Sequence, residues 1–177
     1  ASARVDNIMM RIAEVVYAIP YLLIVILISV MLSNEQGASL FTLVLAMSIT
    51  GWVPMAIMVR GQVLQLRENE YVTAARSLGA DKGYILKKHI IPNTLGPILV
   101  NITLTVPRAI FSEATLSFMS LGLQPPQPSL GVLSNDGLGV MGIGLFYQIF
   151  FPALMISLIM FSFNVLGDGL RDALDPR

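Results

Sequence analysis

The sequence predicts an all-α, polytopic membrane protein, and three observations carry that reading. Of 177 residues, 55% are hydrophobic and only 12% are charged, about half the charged share of an average soluble domain. Four apolar runs each come close to the roughly 20 residues a helix needs to cross about 30 Å of hydrocarbon. The eleven Lys and Arg are unevenly placed: apart from Arg108 they fall before the first run, between the second and third, and after the fourth. A formal net charge of 0 gives no reason to expect nucleic acid, and without cysteine there is neither a disulfide framework nor a thiolate metal site.

The first run is Val15 to Leu32, VVYAIPYLLIVILISVML. Pro20 is expected to kink or reshape it, which neighbouring helices in a membrane tolerate. The run is longer than a signal peptide's apolar region, lacks an A-x-A-like exit and follows the polar ASARVDN, so it reads as a span and not a cleaved signal. A polar link, Ser33 to Ser39, leads to the second run, Leu40 to Val59, interrupted by Gly51, Trp52 and Pro54. Trp52 can pack between helices or turn its indole N–H towards a polar path, and packing is the expectation. The third run, Ile98 to Leu121, holds Arg108 and Glu113. A charge at mid-bilayer costs about 2.5 to 3.5 kcal/mol on insertion scales, so both are expected to face inward. They lie about 140° apart around a helix, which favours separate inter-helix partners over a mutual pair. From Gly122 to Gly144 a stiff QPPQPS piece precedes a flexible GLGVMGIG piece. The fourth run, Leu145 to Leu166, is followed by a charged tail, Asp168 to Arg177.

Between the second and third runs lies the polar stretch Asn69 to Pro92, NEYVTAARSLGADKGYILKKHIIP. Read as a helix starting after Asn69, it puts Tyr71, Ala74, Ala75 and Leu78 on one stripe at i, i+3, i+4 and i+7, with Glu70, Thr73 and Arg76 turned elsewhere. Two alanines at the centre permit close approach of another surface. Gly79 allows a sharp change of direction, Asp81 can cap a second short helix through Lys88, and Pro92 ends or kinks that helix. The stripe suits two roles: docking into a partner's groove, or resting on the chain's own helix ends.

The run Thr73-Ala74-Ala75, three residues, Gly79, nine residues, then His89-Ile90-Ile91-Pro92 resembles the EAA loop of ABC importer permeases. That loop's pattern is EAA, three residues, Gly, nine residues, I-x-L-P; Thr73 stands for the Glu, His89 for the Ile and Ile91 for the Leu. Five further segments resemble the C-type permease subunits of dipeptide and oligopeptide importers: GWVP (51–54), VRGQVLQLRENEYV (59–72), EATLSF (113–118), LQPPQPSLG (123–131) and NVLGDGLRDALDPR (164–177). The resemblance implies a permease subunit that catalyses no covalent step and pairs with a second permease as a homo- or heterodimer. It would receive solute from an extracytoplasmic binding protein and couple to ABC ATPase subunits, which bind the ATP. Coupling falls to Tyr71, Thr73, Ala74, Ala75, Arg76, Leu78, Gly79, Ala80 and Pro92, and the matched spacing favours docking for the stripe. Arg108 and Glu113 become residues of the translocation path or inter-helix polar residues. Permeases of this subfamily have six spans, so the four here are expected to be the C-terminal part of one, in a bacterial or archaeal cytoplasmic membrane, without its first two helices. Dipeptide, longer peptide, nickel chelate and other solutes all stay open as cargo.

Other chemistry finds no home in the sequence. His89 is the sole histidine and no H-E-x-x-H occurs, so there is no credible zinc cluster, and His89 reads as a helix-end or interface residue. Neither G-x-S-x-G nor G-x-x-x-x-G-K-[ST] occurs, which removes nucleophilic catalysis and nucleotide binding from this chain. The competing class is a secondary transporter or channel subunit with Arg108 and Glu113 as its intramembrane polar centre; the lack of an internal repeat counts mildly against it. Because the links at 33–39 and 122–144 contain no Lys or Arg, they are expected outside, with both ends of this segment and residues 69–92 in the cytoplasm. Cysteines introduced at Glu35 and Gln127 should label with a membrane-impermeant thiol reagent in intact cells, while one at Lys82 should not. Labelling of all three, or of Lys82 alone, overturns the orientation.

Overall fold

Where the chain is apolar and free of special residues it runs as helix, and its breaks fall at proline or at a cap. The computed structural model describes residues 3–33 and 38–174. Among these residues there are eight α-helices, one π turn, one 3-10 turn and no strand. Glu35 and Arg177 lie outside the described residues.

Helices α1 (Ala3–Tyr17) and α2 (Tyr21–Leu32) meet at an 83° bend. Pro20 stands at the N-cap of α2 with φ −55° and ψ 122°, outside helical geometry. The single span expected over Val15 to Leu32 is therefore corrected to the end of one helix and a separate 12-residue helix, too short alone to cross the hydrocarbon. Helix α3 (Leu40–Leu66) is capped by Ser39, whose Oγ accepts from the Thr42 N–H at 3.1 Å, and it passes unbroken through Gly51 and Pro54 beyond the expected end at Val59. Trp52 is a second correction. It is 44% exposed and its indole N–H donates to the Ile49 carbonyl at 2.9 Å, so the ring lies on the outside of α3 and not between helices of this chain.

After α4 (Glu70–Ser77), the elements α5 (Lys82–Ile85), a π turn (Leu86–Ile90) and α6 (Ile91–Phe118) form one 37-residue helix from Lys82 to Phe118. Pro92 was expected to end or kink the second arm after Lys88; instead the wide π turn just before it accommodates the missing N–H, and the helix continues. Helix α7 (Leu130–Val140) and a 3-10 turn (Met141–Ile143) fill most of the stretch read as flexible. Helix α8 (Tyr147–Leu174) carries on through Asp168 and Arg171, which were expected in a tail beyond the span. By length and composition α3, the Lys82–Phe118 helix and α8 can each cross a membrane, and α1 with α2 is a bent pair that meets the same criterion only when its two helices are taken together.

Helix α6 is the hub, packing on α3, α7 and α8, while α1 and α2 both lie on α3. One buried cluster, Val25, Ala38, Leu43, Ala46, Met47 and Leu116, ties α2 and α3 to the far end of α6. Close approach explains two glycines of α7. A methyl at Gly131 would collide with the Ala114 carbonyl of α6, and one at Gly137 with the backbone of Gln148 and Ile149 in α8. These glycines let helices touch, as small residues do in membranes, so the flexible reading of this stretch is overturned. Little of the apolar surface is covered by the chain itself: 6% of the apolar window of α8 is buried, and Phe41, Phe161 and Met31 stand open. Such area suits hydrocarbon or neighbouring subunits and not water. Gly131→Val should push α7 from α6 and lower stability by about 1 to 3 kcal/mol, seen as a lower thermal midpoint of the detergent-solubilised full-length protein. Gly139→Ala, with nothing within 4 Å of the added atom, should be neutral or slightly stabilising; equal losses would remove close contact as the reason.

Candidate functional site

The hairpin at Asn69 to Pro92 is built from two reinforcing local devices. At the end of α4, Gly79 takes φ +86°, its N–H donates to the Arg76 carbonyl at 3.0 Å, and the Ala80 N–H donates to the Ala75 carbonyl at 3.1 Å. This is a Schellman closure, with a left-handed glycine reversing the chain and satisfying the last carbonyls. Two residues on, the Asp81 carboxylate accepts from the Tyr84 N–H and starts the second arm. The arms close on Val72, Ile85 and Ile90, which are buried and packed by Val63 and Leu66 of α3 and by Ala75 and Ala80. His89 lies between two tyrosines, 5.8 Å from the Tyr71 ring and 5.9 Å from the Tyr84 ring.

The stripe read from the sequence divides. Ala75 turns inward and is half-buried, whereas Tyr71, Thr73, Ala74, Arg76 and Leu78 lie outside, and Leu78 is 89% exposed. The four residues thus do not share one face, and the inward face of α4 is Val72 with Ala75. Val72, fully buried, is the residue that sequence reasoning missed; its apolar side chain three residues before Ala75, on the same helical face, was the available signal. Pro92 is exposed, beyond the π turn.

Around the hairpin the bundle end is basic. Arg60 donates to Asp6 through Nη2 at 2.7 Å and Nε at 2.9 Å, a forked pair joining α1 to α3. Both side chains are more than a third exposed, so the pair sets the register of α1 more than it adds stability. Gly96, near the start of α6, lies against Leu174 at the end of α8. Arg60, Arg67, Arg76, Lys82, Lys87, Lys88 and Arg171 are thereby gathered at one end.

Arg108 and Glu113 are not brought together. Glu113 is half-buried and accepts from the Ser117 Oγ at 2.7 Å, on its own helix; Ser117 Oγ in turn accepts from the Leu123 N–H at 2.9 Å. Arg108, expected to face inward, is instead exposed on α6 and borders a cavity of about 420 Å³ between the α1–α2 bend, α3, α6 and α8. In that cavity it is joined by Tyr17, Tyr21, Thr50 and Pro54.

Membrane-length helices, a proline-bent helix pair and a hairpin protruding from a basic end define a multi-pass helical membrane protein. Residues 1–177 match the family described as binding-protein-dependent transport system inner membrane component, and the chain belongs to that family. It is 54% identical over 174 residues to the dipeptide transport system permease protein DppC of Bacillus subtilis (strain 168), covering 98% of this chain and 53% of that protein. To the oligopeptide transport system permease protein OppC of the same organism it is 53% identical over 176 residues, covering 98% and 55%. The glutathione transport system permease protein GsiD of Shigella flexneri serotype 5b (strain 8401) is 40% identical over 172 residues, covering 97% and 55%. The chain spans about half the length of these relatives.

Because nothing lies within 4 Å of a side chain added at Gly79, substitution there is strained by backbone alone. Gly79→Val should loosen the hairpin by about 1 to 2 kcal/mol and speed amide exchange at Ala80, with Gly79→Asn intermediate because Asn tolerates the left-handed region. Unchanged exchange in Gly79→Val would mean the reversal does not depend on that conformation.

Proposed function

We propose that this chain is a permease subunit of an ATP-driven importer for peptides or related small solutes, with the Asn69 to Pro92 hairpin as its contact to ATPase subunits. The observation that carries this reading is the outer face of α4. Leu78 is 89% exposed and Tyr71 40% exposed, at an end too basic to lie in hydrocarbon, so a protein partner is the natural cover. The positive-inside rule puts that end, and both ends of this segment, in the cytoplasm, where ATPases work. The relatives' names, dipeptide, oligopeptide and glutathione transport system permease proteins, favour peptides as cargo.

The mechanism follows from continuity. Closure of the ATPase dimer on ATP moves the docked hairpin, and the Lys82–Phe118 helix has no break between the hairpin and the membrane interior. Displacement at Leu78 therefore reaches α6 as movement of a rod, and α6 carries α3, α7 and α8, the helices packed on it. With a second permease facing it, such rocking opens the path towards a binding protein on the other side. The chain itself holds no ATP and performs no covalent step. The secondary-transporter or channel reading needs Arg108 and Glu113 as one polar centre, and their different surroundings weigh against it.

Leu78→Asp tests the docking surface without touching the hairpin core, whereas a charge at the half-buried Ala75 would disturb folding as well. In the full-length permease, co-expressed with its second permease and ATPases, Leu78→Asp should insert and pair normally. It should lose ATPase co-purification, or the stimulation of ATP hydrolysis by loaded binding protein, by roughly a hundredfold, since a buried unpaired charge costs about 3 kcal/mol. Wild-type coupling in that variant, or loss of the protein from the membrane in place of loss of coupling, rejects the docking role.

A further inference from the structure

The α1–α2 break leaves irregular backbone at an 83° bend between two helices that are apolar enough, taken together, to reach into a membrane. Ala18, Ile19 and Pro20 are exposed, and at membrane depth such backbone persists only where protein buries it or a water-filled cavity reaches it. The cavity beside it is bounded by Tyr17 and Tyr21 on either side of the break, by Thr50 of α3, and by Arg108 and Ser112, one turn apart on α6. Thr50 lacks the partner its burial demands, and Arg108 is an exposed cation without an ionic one among the described residues. Thr50 is 7% exposed and its Oγ1 has no hydrogen-bond partner. Arg108 makes no ion pair with any described residue. Against lipid that guanidinium would cost about 2.5 to 3.5 kcal/mol, and an unbonded buried hydroxyl costs about 1 to 3 kcal/mol. The guanidinium, exposed on α6 beside this space, is the group that calls for a polar occupant there.

We infer that this cavity is a transit subsite for a small solute's carboxylate, with the Arg108 guanidinium as its cation and the Ser112 hydroxyl as a flanking donor. The paired N–H groups of a guanidinium match the two oxygens of a carboxylate. One cation with largely apolar walls, among them Met55, Phe111 and Met160, suits a single carboxylate on an apolar body better than a polyanion. A volume of about 420 Å³ falls within the range of small-molecule sites. The inference deepens the importer reading and rests on it, because the C-terminal carboxylate of a peptide is such a group.

The test uses the full-length permease assembled with its second permease and ATPases in nanodiscs, carrying Thr105→Cys, in the cavity wall, as the sole reactive cysteine. A charged methanethiosulfonate reagent should label it. L-alanyl-L-alanine, at about ten times its half-protecting concentration, should slow labelling by roughly tenfold, while L-alanyl-L-alanine amide at the same concentration should not. Arg108→Gln should abolish the protection and Arg108→Lys should keep part of it. A cysteine that never labels would show that another subunit or helix fills the space, and equal protection by acid and amide would show that no carboxylate is read; either overturns the subsite. So does protection that survives Arg108→Gln, and if that variant fails to assemble, the comparison of acid with amide decides alone. Where any of these failures occurs in a complex that retains peptide-stimulated ATP hydrolysis, the subsite falls and the importer reading stands; where the unsubstituted complex has no such stimulation, both fall.

Discussion

Backbone N–H and C=O groups inside hydrocarbon have no water to bond, and that constraint organises this chain. It is why three helices run 27 residues or more, and why Pro54, Pro97, Pro107 and Pro152 lie inside helices without ending them. Each removes one intrahelical bond, and neighbouring turns or packed helices absorb the loss. At Pro92 the local solution is a π turn, which widens the helix and lets it continue. Pro20 is the exception, since there the chain bends by 83° and the freed groups need another environment. That the bend borders the cavity holding Arg108 is then one requirement expressed twice: irregular backbone and a charge both need polar surroundings at depth.

At the basic end the proposed docking role sets a mechanical constraint. A hairpin that transmits force must stay folded when pushed, and its own contacts are few. Burial of Val72, Ile85 and Ile90 stabilises by roughly 1.5 to 3 kcal/mol each, an upper figure because unfolded chains already bury some surface. The Schellman closure at Gly79 and the Asp81 cap add to this, and Val63 and Leu66 anchor the cluster to α3. The hairpin is thus fastened to the end of one span while being continuous with the next. Movement of its outer face cannot be taken up locally without breaking one of those attachments.

Much of this was legible in the sequence, and what was not has physical causes. The membrane class, the helical hairpin and its reversal at Gly79 could be read because apolar runs, cap residues and a glycine announce themselves. The end of α6 shows the limit. Ser120 adopts φ 59°, with the Ser120 N–H bonded to the Ser117 carbonyl and the Leu121 N–H to the Leu116 carbonyl, the same closure as at Gly79. A serine carries no such signal, so this turn was invisible. Helix α7 was hidden for the opposite reason: its glycines read as flexibility, yet Gly131 and Gly137 are there for contact with α6 and α8. Tertiary facts stayed out of reach altogether. The Asp6–Arg60 fork joins residues 54 apart, and the inward turn of Ala75 depends on what α4 rests against.

The division of Tyr71, Ala74, Ala75 and Leu78 between two faces changes what the alanine pair is for. On the sequence pattern both alanines offer a shallow docking surface. In the fold, Ala75 lets α4 sit close over Ile85 and Ile90 while its carbonyl accepts the Ala80 N–H, and only Ala74 stays outside beside Tyr71. A larger residue at Ala75 would lift α4 from α3, and one at Ala74 would not. Small size at these adjacent positions therefore answers two different needs, close packing inside and close approach outside. A helix this short, resting on its own bundle and, in the proposed role, offering its back to a partner, requires both.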